Sequence, residues 1–191
     1  MLRRTLVFSL FKMSLEPEIL NCTTPQIVHN IAEYQKLKQF LNNLIEKNDY
    51  GPLEYFFRSF KVSKGFLEKG QYLIKESGKS NPNVEIMHQI LKNGCNPNIS
   101  AANRTTSLGL ICEYSQNLAA MSYLIEFGAD LNLKCDTFGD SPLHLASRNA
   151  NIEVMTKLLK HGADSNSVNN ANGNSLHSVI IGVGGNTDKI F

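Results

Sequence analysis

Three stretches of the sequence align without a gap: NVEIMHQILKNGCNPN (83–98), NLAAMSYLIEFGADLN (117–132) and NIEVMTKLLKHGADSN (151–166). Each stretch begins 34 residues after the one before it, and four columns are identical in all three. These columns hold an Asn at the start, a Met, a Gly and a second Asn at the end. A fixed period of this length indicates an architecture of stacked structural repeats, because each repeat alone cannot bury its apolar face.

Each stretch predicts one helix with a defined end. In the third copy Val154, Met155, Leu158 and Leu159 are spaced by three and four residues, which places them on one helical face. Gly162 follows them and suits the left-handed conformation in which many helices end. We expect this helix to be the outer helix of its unit.

A shorter apolar stretch lies between consecutive outer helices, at residues 136–150 in the third copy. Gly139 indicates a tight turn, Ser141 can cap a helix, and Pro142 fits the first helical position. The sequence therefore predicts a unit made of a turn, a short inner helix, a loop and a longer outer helix.

The run GDSPLHLA at 139–146 resembles the ankyrin repeat, whose signature is T-P-L-H-x-A. Ser141 stands in place of the Thr and keeps the capping hydroxyl. The second copy is looser (TSLGL at 106–110) and has one extra residue before its outer helix, and the fourth copy (GNSLH at 173–177) lacks the Pro. The resemblance covers about residues 64–191. It implies an all-α, ankyrin-type helical repeat solenoid.

We predict a flexible amino terminus at 1–23, a helical region at 24–63 and repeats at 64–191, with units at 64–98, 99–132, 133–166 and 167–191. The last unit is expected to be incomplete, as in a fragment, because 186–191 starts like an outer helix. In the helical region, amphipathic spacing predicts helices at 24–47 and 53–60 with a turn at 48–52. We interpret them as a cap on the first unit, whose inner helix is predicted at 66–77. An independent pair of partner-binding helices is the alternative.

Composition excludes several classes of protein. Of the 191 residues 42% are hydrophobic, so the chain is neither disordered nor membrane-embedded, and the net charge of +2 is too small for a dedicated nucleic-acid binder. Cys22, Cys95, Cys112 and Cys135 form no CxxC pair and have no His at zinc-ligand spacing, which favours free thiols in the cytoplasm or nucleus. Residues 1–12 are basic, so a mitochondrial transit segment is an alternative to a frayed end or to extra residues upstream of a true start at Met13. We expect a monomer without metal or cofactor.

Catalytic constellations are not evident in the sequence. His144 and His177 each follow a Leu in corresponding inner helices, and the resemblance implies that such a His bonds turn backbone and links adjacent units. No nucleophile or acid recurs beside them, so we predict that the protein is not an enzyme. The Gly-rich segment 182–185 lacks the Lys of a phosphate-binding loop, and we expect it to be a lengthened loop between helices.

The resemblance also implies a concave groove lined by the turn tips and the exposed ends of the inner helices. Phe138 is the most informative position, because local structure gives little reason for an aromatic residue at a turn tip; packing back on its own hairpin is the alternative. The outer helices carry Lys157 and Lys160, which we expect to be solvated. The residues predicted to contact a partner are Arg104, Glu113, Tyr114, Thr137, Phe138, Asp140, Arg148, Asn149, Asn172 and Asn174.

The predicted function is a non-enzymatic protein–protein interaction module, an adaptor, scaffold or inhibitor that binds a protein partner through this groove. One alternative is a substrate-receptor or targeting subunit of a larger enzyme complex, such as a ubiquitin ligase, whose recruiting segment the chain lacks. An enzyme with its active site in residues 1–63 is less favoured, since that region has no paired carboxylates and no His-Cys or His-Ser constellation.

Overall fold

The computed structural model describes residues 31–48, 50–59, 64–115 and 117–184. Within these ranges the regular structure is helical, and the one bridge between extended residues joins Ser100 to Thr106. The described helices are α1 Ile31–Glu46, α2 Tyr50–Ser59, α3 Lys64–Gly70, α4 Tyr72–Ser77, α5 Val84–Lys92, α6 Ser107–Leu110, α7 Leu118–Glu126, α8 Pro142–Arg148, α9 Ile152–Lys160 and α10 Ser175–Gly184. This architecture confirms the predicted all-α repeat solenoid.

Helices α1 and α2 cover the first unit and share its hydrophobic core. The Tyr72 hydroxyl donates to the Lys38 carbonyl at 3.4 Å, and Lys79 Nζ donates to the Ile45 carbonyl at 2.7 Å. These contacts confirm the predicted cap. Helix α2 begins at Tyr50 rather than at residue 53, because Pro52 is tolerated in a first helical turn. The predicted start of the first helix at 24 lies outside the described residues.

The inner helix of the first unit is broken in two, whereas the sequence predicted one helix at 66–77. Gln71 separates α3 from α4 with a left-handed φ of 51°. The break re-aims the chain, so that Phe66 and Leu67 before it and Tyr72 after it are all buried. Burial of these large side chains outweighs the helical continuity that local propensity favours.

The extra residue of the second unit is absorbed in its inner helix. Helix α6 continues into a π-helical turn at Ile111–Ser115. The helix-capping residue Asn117 follows the preceding cap Thr106 by 11 positions, while Asn151 follows Ser141 by 10. A π turn accommodates one additional residue without shifting the helices on either side. The spacing of the outer helices stays at 34 because the turn of the second unit, closed between Ala101 and Thr105, is one residue shorter than the turn of the third, closed between Cys135 and Asp140.

The two identical Asn columns have different structural roles. The first column caps the outer helices, as where Asn83 Oδ1 accepts from the Ile86 amide and Asn151 Oδ1 from the Val154 amide. The second column links neighbouring units: Asn98 Oδ1 accepts from the Asp130 amide at 2.7 Å, and Asn132 Oδ1 accepts from the Asp164 amide at 2.8 Å. We call this second set the Asn ladder.

Helix α10 extends through Gly182 to Gly184, where the sequence predicted a loop. The glycine allows close packing instead, because a Cβ at Gly182 would lie 1.9 Å from the Arg148 carbonyl oxygen at the end of α8. Gly185 lies outside the described residues.

Candidate protein-binding groove

The turns of the last three units are closed by equivalent backbone hydrogen bonds. The Ala101 amide donates to the Thr105 carbonyl at 2.9 Å, Cys135 to Asp140 at 2.8 Å, and Asn169 to Gly173 at 2.9 Å. Three residues lie inside the first and last of these turns, but four lie inside the turn of the third unit. The third turn is thus one residue longer than its neighbours.

The longer turn of the third unit carries an exposed aromatic side chain. Phe138 is 68% exposed, so it does not pack back on its own hairpin. Its backbone is held by the next unit, since the Asn170 amide donates to the Phe138 carbonyl at 2.9 Å and Asn170 Nδ2 donates to the Thr137 carbonyl at 3.1 Å. The backbone of the tip is therefore anchored while its side chains face solvent.

Asp140, two residues further on, is fully buried. Its Oδ2 pairs with the Arg148 guanidinium, and its Oδ1 accepts from Asn169 Nδ2 at 2.7 Å. The sequence-based prediction placed Asp140 among the contact residues, but the structure places its carboxylate in the interior. We therefore correct this assignment: Asp140 holds the turn, because both carboxylate oxygens are engaged by other parts of the chain.

His144 extends this buried support. The Ser141 amide donates to His144 Nδ1 at 3.3 Å, so Nε2 carries the ring hydrogen and donates to the Gly173 carbonyl at 3.0 Å. One ring thus caps its own helix and ties the third unit to the fourth. We name the set Asp140, His144, Arg148 and Asn169 the turn frame.

A second group of predicted residues meets at the ends of the inner helices. Asn149 Nδ2 donates to the Glu113 carbonyl at 2.7 Å, which joins the third unit to the second. Tyr114 is largely exposed and lies beside Glu113. The negative charge of Glu113 is the main cause that raises the pKa of the Tyr114 phenol. Burial and a hydrogen bond to Glu113 raise this pKa further, and the charge of Arg148 lowers it. The structure thus brings Glu113, Tyr114, Arg148 and Asn149 together.

The remaining predicted residues occupy turn tips and a helix cap. Arg104 and Asn172 are exposed tip residues with left-handed φ values of 65° and 59°. Asn174 caps α10, because its Oδ1 accepts from the Leu176 amide at 3.1 Å and the His177 amide at 3.3 Å. We define the groove surface by its outward-facing residues Arg104, Glu113, Tyr114, Thr137, Phe138, Asn149 and Asn172.

Two residues that support the groove were not predicted, Asn169 and Asn170. Their position in a turn is a recognisable signal, because Asn side chains commonly bond local backbone in turns. Asn169 Oδ1 does so with the Gly173 amide at 3.0 Å. Its contact with Asp140 joins residues 29 positions apart, and no local pattern indicates it.

The outer helices differ from the expected solvated face at one position. Lys157 Nζ donates to the Leu118 carbonyl at 3.1 Å and also contacts Ser122 Oγ, so this lysine links α9 to α7. Lys160 is exposed as expected. Of the two, Lys160 is the appropriate control position for binding experiments.

The described cysteines, Cys95, Cys112 and Cys135, are all buried. Burial raises the pKa of the Cys112 thiol well above its usual range. Burial is also the main cause that raises the pKa of the Cys135 thiol to about 12. Both thiols are therefore poor nucleophiles and poor metal ligands. Among the described residues no cluster of His, Cys, Asp and Glu could hold a metal ion. Nor does any helix in the described ranges have the length and apolar character needed to cross a membrane.

The repeat geometry agrees with comparison to known proteins. Residues 75–169 match the family model described as ankyrin repeats in three copies. The chain belongs to the ankyrin repeat family. Because proteins of many functions carry these repeats, family membership establishes the fold and a general role in protein–protein interaction, but it names no partner.

Relatives of this ankyrin repeat protein match it over less than half its length. A Rickettsia felis protein named for its ankyrin repeats is 40% identical over 79 residues, covering 41% of this chain and 26% of its own. Palmitoyltransferase AKR1 of Kluyveromyces lactis is 34% identical over 77 residues, covering 40% and 10%. Human protein fem-1 homolog C is 34% identical over 86 residues, covering 44% and 14%. The chain therefore spans about a quarter or less of these relatives.

Proposed function

We propose that the protein is a non-enzymatic interaction module that binds a protein partner through the groove surface and acts as an adaptor, scaffold or inhibitor. The observation that carries this proposal is the pairing of exposed aromatic side chains with a buried polar support. Tyr114 and Phe138 face solvent, while the turn frame is hydrogen-bonded and its members Asp140 and His144 are buried. Aromatic residues on a preorganised surface bind with a small loss of conformational entropy.

The chemistry of the groove surface favours a protein over other partners. The groove surface carries one positive charge, on Arg104, and one negative charge, on Glu113. The nearby Arg148 is already paired with Asp140. A nucleic acid would require a clear excess of cations along the groove. The buried thiols of Cys112 and Cys135 form no disulfide, which supports a reducing compartment, and we propose the cytoplasm or nucleus for this role.

The proposal can be tested by introducing a photo-crosslinking amino acid at Phe138 and, as a control, at Lys160. Both side chains are exposed, but Lys160 lies on an outer helix. Illumination in cells should produce a covalent adduct with a partner protein from position 138 and little or none from position 160. Adducts from position 160 alone would show that the outer surface is the working face.

A further inference from the structure

The dipeptide Asn-Gly occurs twice in the sequence, as Asn93-Gly94 and as Asn172-Gly173. In this dipeptide the asparagine side chain is open to attack by the backbone nitrogen that follows it, because glycine has no Cβ to hinder the approach. The two asparagines lie in different structural settings. Their surroundings therefore decide which of them can react.

Asn93 is held at the end of helix α5. Its Nδ2 donates to the Gln89 carbonyl at 2.7 Å, and the Gly94 amide donates to the Leu91 carbonyl at 2.9 Å. Leu91 is buried in the core, so release of the Gly94 amide requires the last turn of a packed helix to open. Both groups that would react at this position are restrained.

Asn172 lies at the tip of the turn in the fourth unit and is exposed. Its side chain has no hydrogen-bond partner in the described part of the chain, and its left-handed φ of 59° is disfavoured for a residue with a Cβ. Arg104, at the same tip position of the second unit, is also exposed although the third unit follows it. Exposure is therefore a property of the tip.

The attacking nitrogen at this position is held by a side chain rather than by a helix. The Gly173 amide donates to Asn169 Oδ1 at 3.0 Å, and the same oxygen accepts from the Ala171 amide at 3.0 Å. Asn169 Oδ1 keeps this second partner when the Gly173 amide leaves it. The amide can therefore be released by a local movement of the turn.

We propose that Asn172 is a site of spontaneous modification, at which the chain converts the asparagine to isoaspartate and aspartate. The Gly173 nitrogen loses its proton to hydroxide and attacks Cγ of Asn172. The new C–N bond closes a succinimide ring, and the side-chain nitrogen takes up a proton and leaves as ammonia. Water then opens the ring. Opening at the α-carbonyl leaves the main chain running through Cγ, as isoaspartate, and opening at Cγ gives aspartate.

The modification alters the junction between the third and fourth units. The Gly173 carbonyl accepts two hydrogen bonds, from the Asn169 amide at 2.9 Å and from His144 Nε2 at 3.0 Å. Isoaspartate inserts one extra carbon into the main chain directly before Gly173, which displaces this carbonyl from both donors. It also adds a carboxylate to the groove surface. The reaction needs only water and does not depend on the binding of a partner.

The rate can be measured by incubating the full chain at neutral pH and following both asparagines by peptide mass spectrometry. Electron-transfer fragmentation distinguishes isoaspartate from aspartate. We expect Asn172 to convert about tenfold or more faster than Asn93, because opening a packed helix end costs more free energy than opening a turn tip. In urea, which unfolds both sites, the two rates should be alike. Conversion of Asn172 no faster than that of Asn93 in the folded chain would overturn the proposal, and so would a difference that persists in urea.

Gly173→Ala is the matched variant for the chemistry. The added Cβ has room, since its nearest neighbour is Asn169 Oδ1 at 3.4 Å, but it shields the nitrogen from attack. Conversion of Asn172 should slow severalfold while the melting temperature stays nearly unchanged. Asn172→Gly removes the reacting side chain, suits the left-handed φ, and replaces Gly173→Ala if that variant does not fold. Equal conversion of Gly173→Ala and the unsubstituted chain would overturn the mechanism.

The effect on the junction is tested by comparing aged and fresh chains. The aged chain should melt about 2–4 °C lower, the loss expected when about one hydrogen bond is weakened. Asn172→Asp carries the new charge without the extra carbon and should melt like the fresh chain. An aged chain that melts like the fresh one would show that isoaspartate does not disturb the Gly173 carbonyl.

Discussion

Phe138 and Asp140 lie two residues apart in one turn, yet their side chains are 68% and 0% exposed. The side chain of Phe138 belongs to the groove surface and faces solvent, while that of Asp140 belongs to the turn frame and engages Arg148 and Asn169. One short segment therefore supplies both a rigid support and a solvent-exposed side chain. Substitutions in the turn frame should therefore change stability, and substitutions in the groove surface should change binding.

The largest loss of stability is expected for His144→Ala. The change removes a buried ring with hydrogen bonds to Ser141 and Gly173, and it leaves a cavity between the third and fourth units. We expect the free energy of unfolding to fall by about 3 kcal/mol, measured by urea denaturation. His177→Ala is the matched control, since His177 caps its helix in the same way but is exposed, and it should lower the value by less than about 1 kcal/mol. Equal losses would show that the bond to Gly173 contributes nothing.

A smaller loss is expected for Arg148→Ala, which leaves the buried Asp140 carboxylate without its cation. Breaking a fully buried ion pair destabilises by about 3–5 kcal/mol, and because Arg148 is partly exposed we expect about 2 kcal/mol. Urea denaturation measures the free energy of unfolding of Arg148→Ala and of the double variant Arg148→Ala/Asp140→Asn. The double variant should recover part of the loss, because a neutral side chain needs no counter-charge. No recovery would mean that the charge of Asp140 is not what Arg148 compensates.

The Asn ladder allows a finer comparison. Asn132→Ala removes a hydrogen bond to the next unit and should lower the free energy of unfolding by about 1 kcal/mol. Asn166→Ala removes a side chain without such a bond among the described residues and should change it by less than about 0.5 kcal/mol. Thermal denaturation of the two variants side by side measures the difference. An equal effect at both positions would contradict the role of the ladder in linking units.

Much of the fold could be predicted from the sequence, because the units repeat local patterns. The outer helix of the third unit is bounded by Asn151 and His161 in the structure, close to its predicted limits, since apolar spacing and the glycine that follows are local signals. The break at Gln71 and the π turn at Ile111–Ser115 could not be predicted in this way. The break arises because burial of Phe66, Leu67 and Tyr72 outweighs helix propensity, and the π turn arises because the inner helix of the second unit holds one extra residue.

The candidate site was predictable in position but not in the role of each residue. The exposure of Phe138 agrees with its expected place at a turn tip. The burial of Asp140 depends on Arg148 and on Asn169, which is 29 residues away, and such tertiary pairing leaves no local pattern in the sequence. For the same reason Lys157 was expected to be solvated, although it bonds the Leu118 carbonyl 39 residues earlier.

The central claim is that a protein partner binds through the groove surface. The most direct test uses the double variant Tyr114→Ala/Phe138→Ala and the partner captured by crosslinking at position 138. Affinity measured by biolayer interferometry should fall about 30-fold or more, because exposed aromatic anchors account for much of an interface's binding energy. The melting temperature should stay nearly the same, since neither side chain supports the core. Lys160→Ala should bind like the unsubstituted chain. Unchanged affinity of the double variant, with its fold intact, would contradict the account.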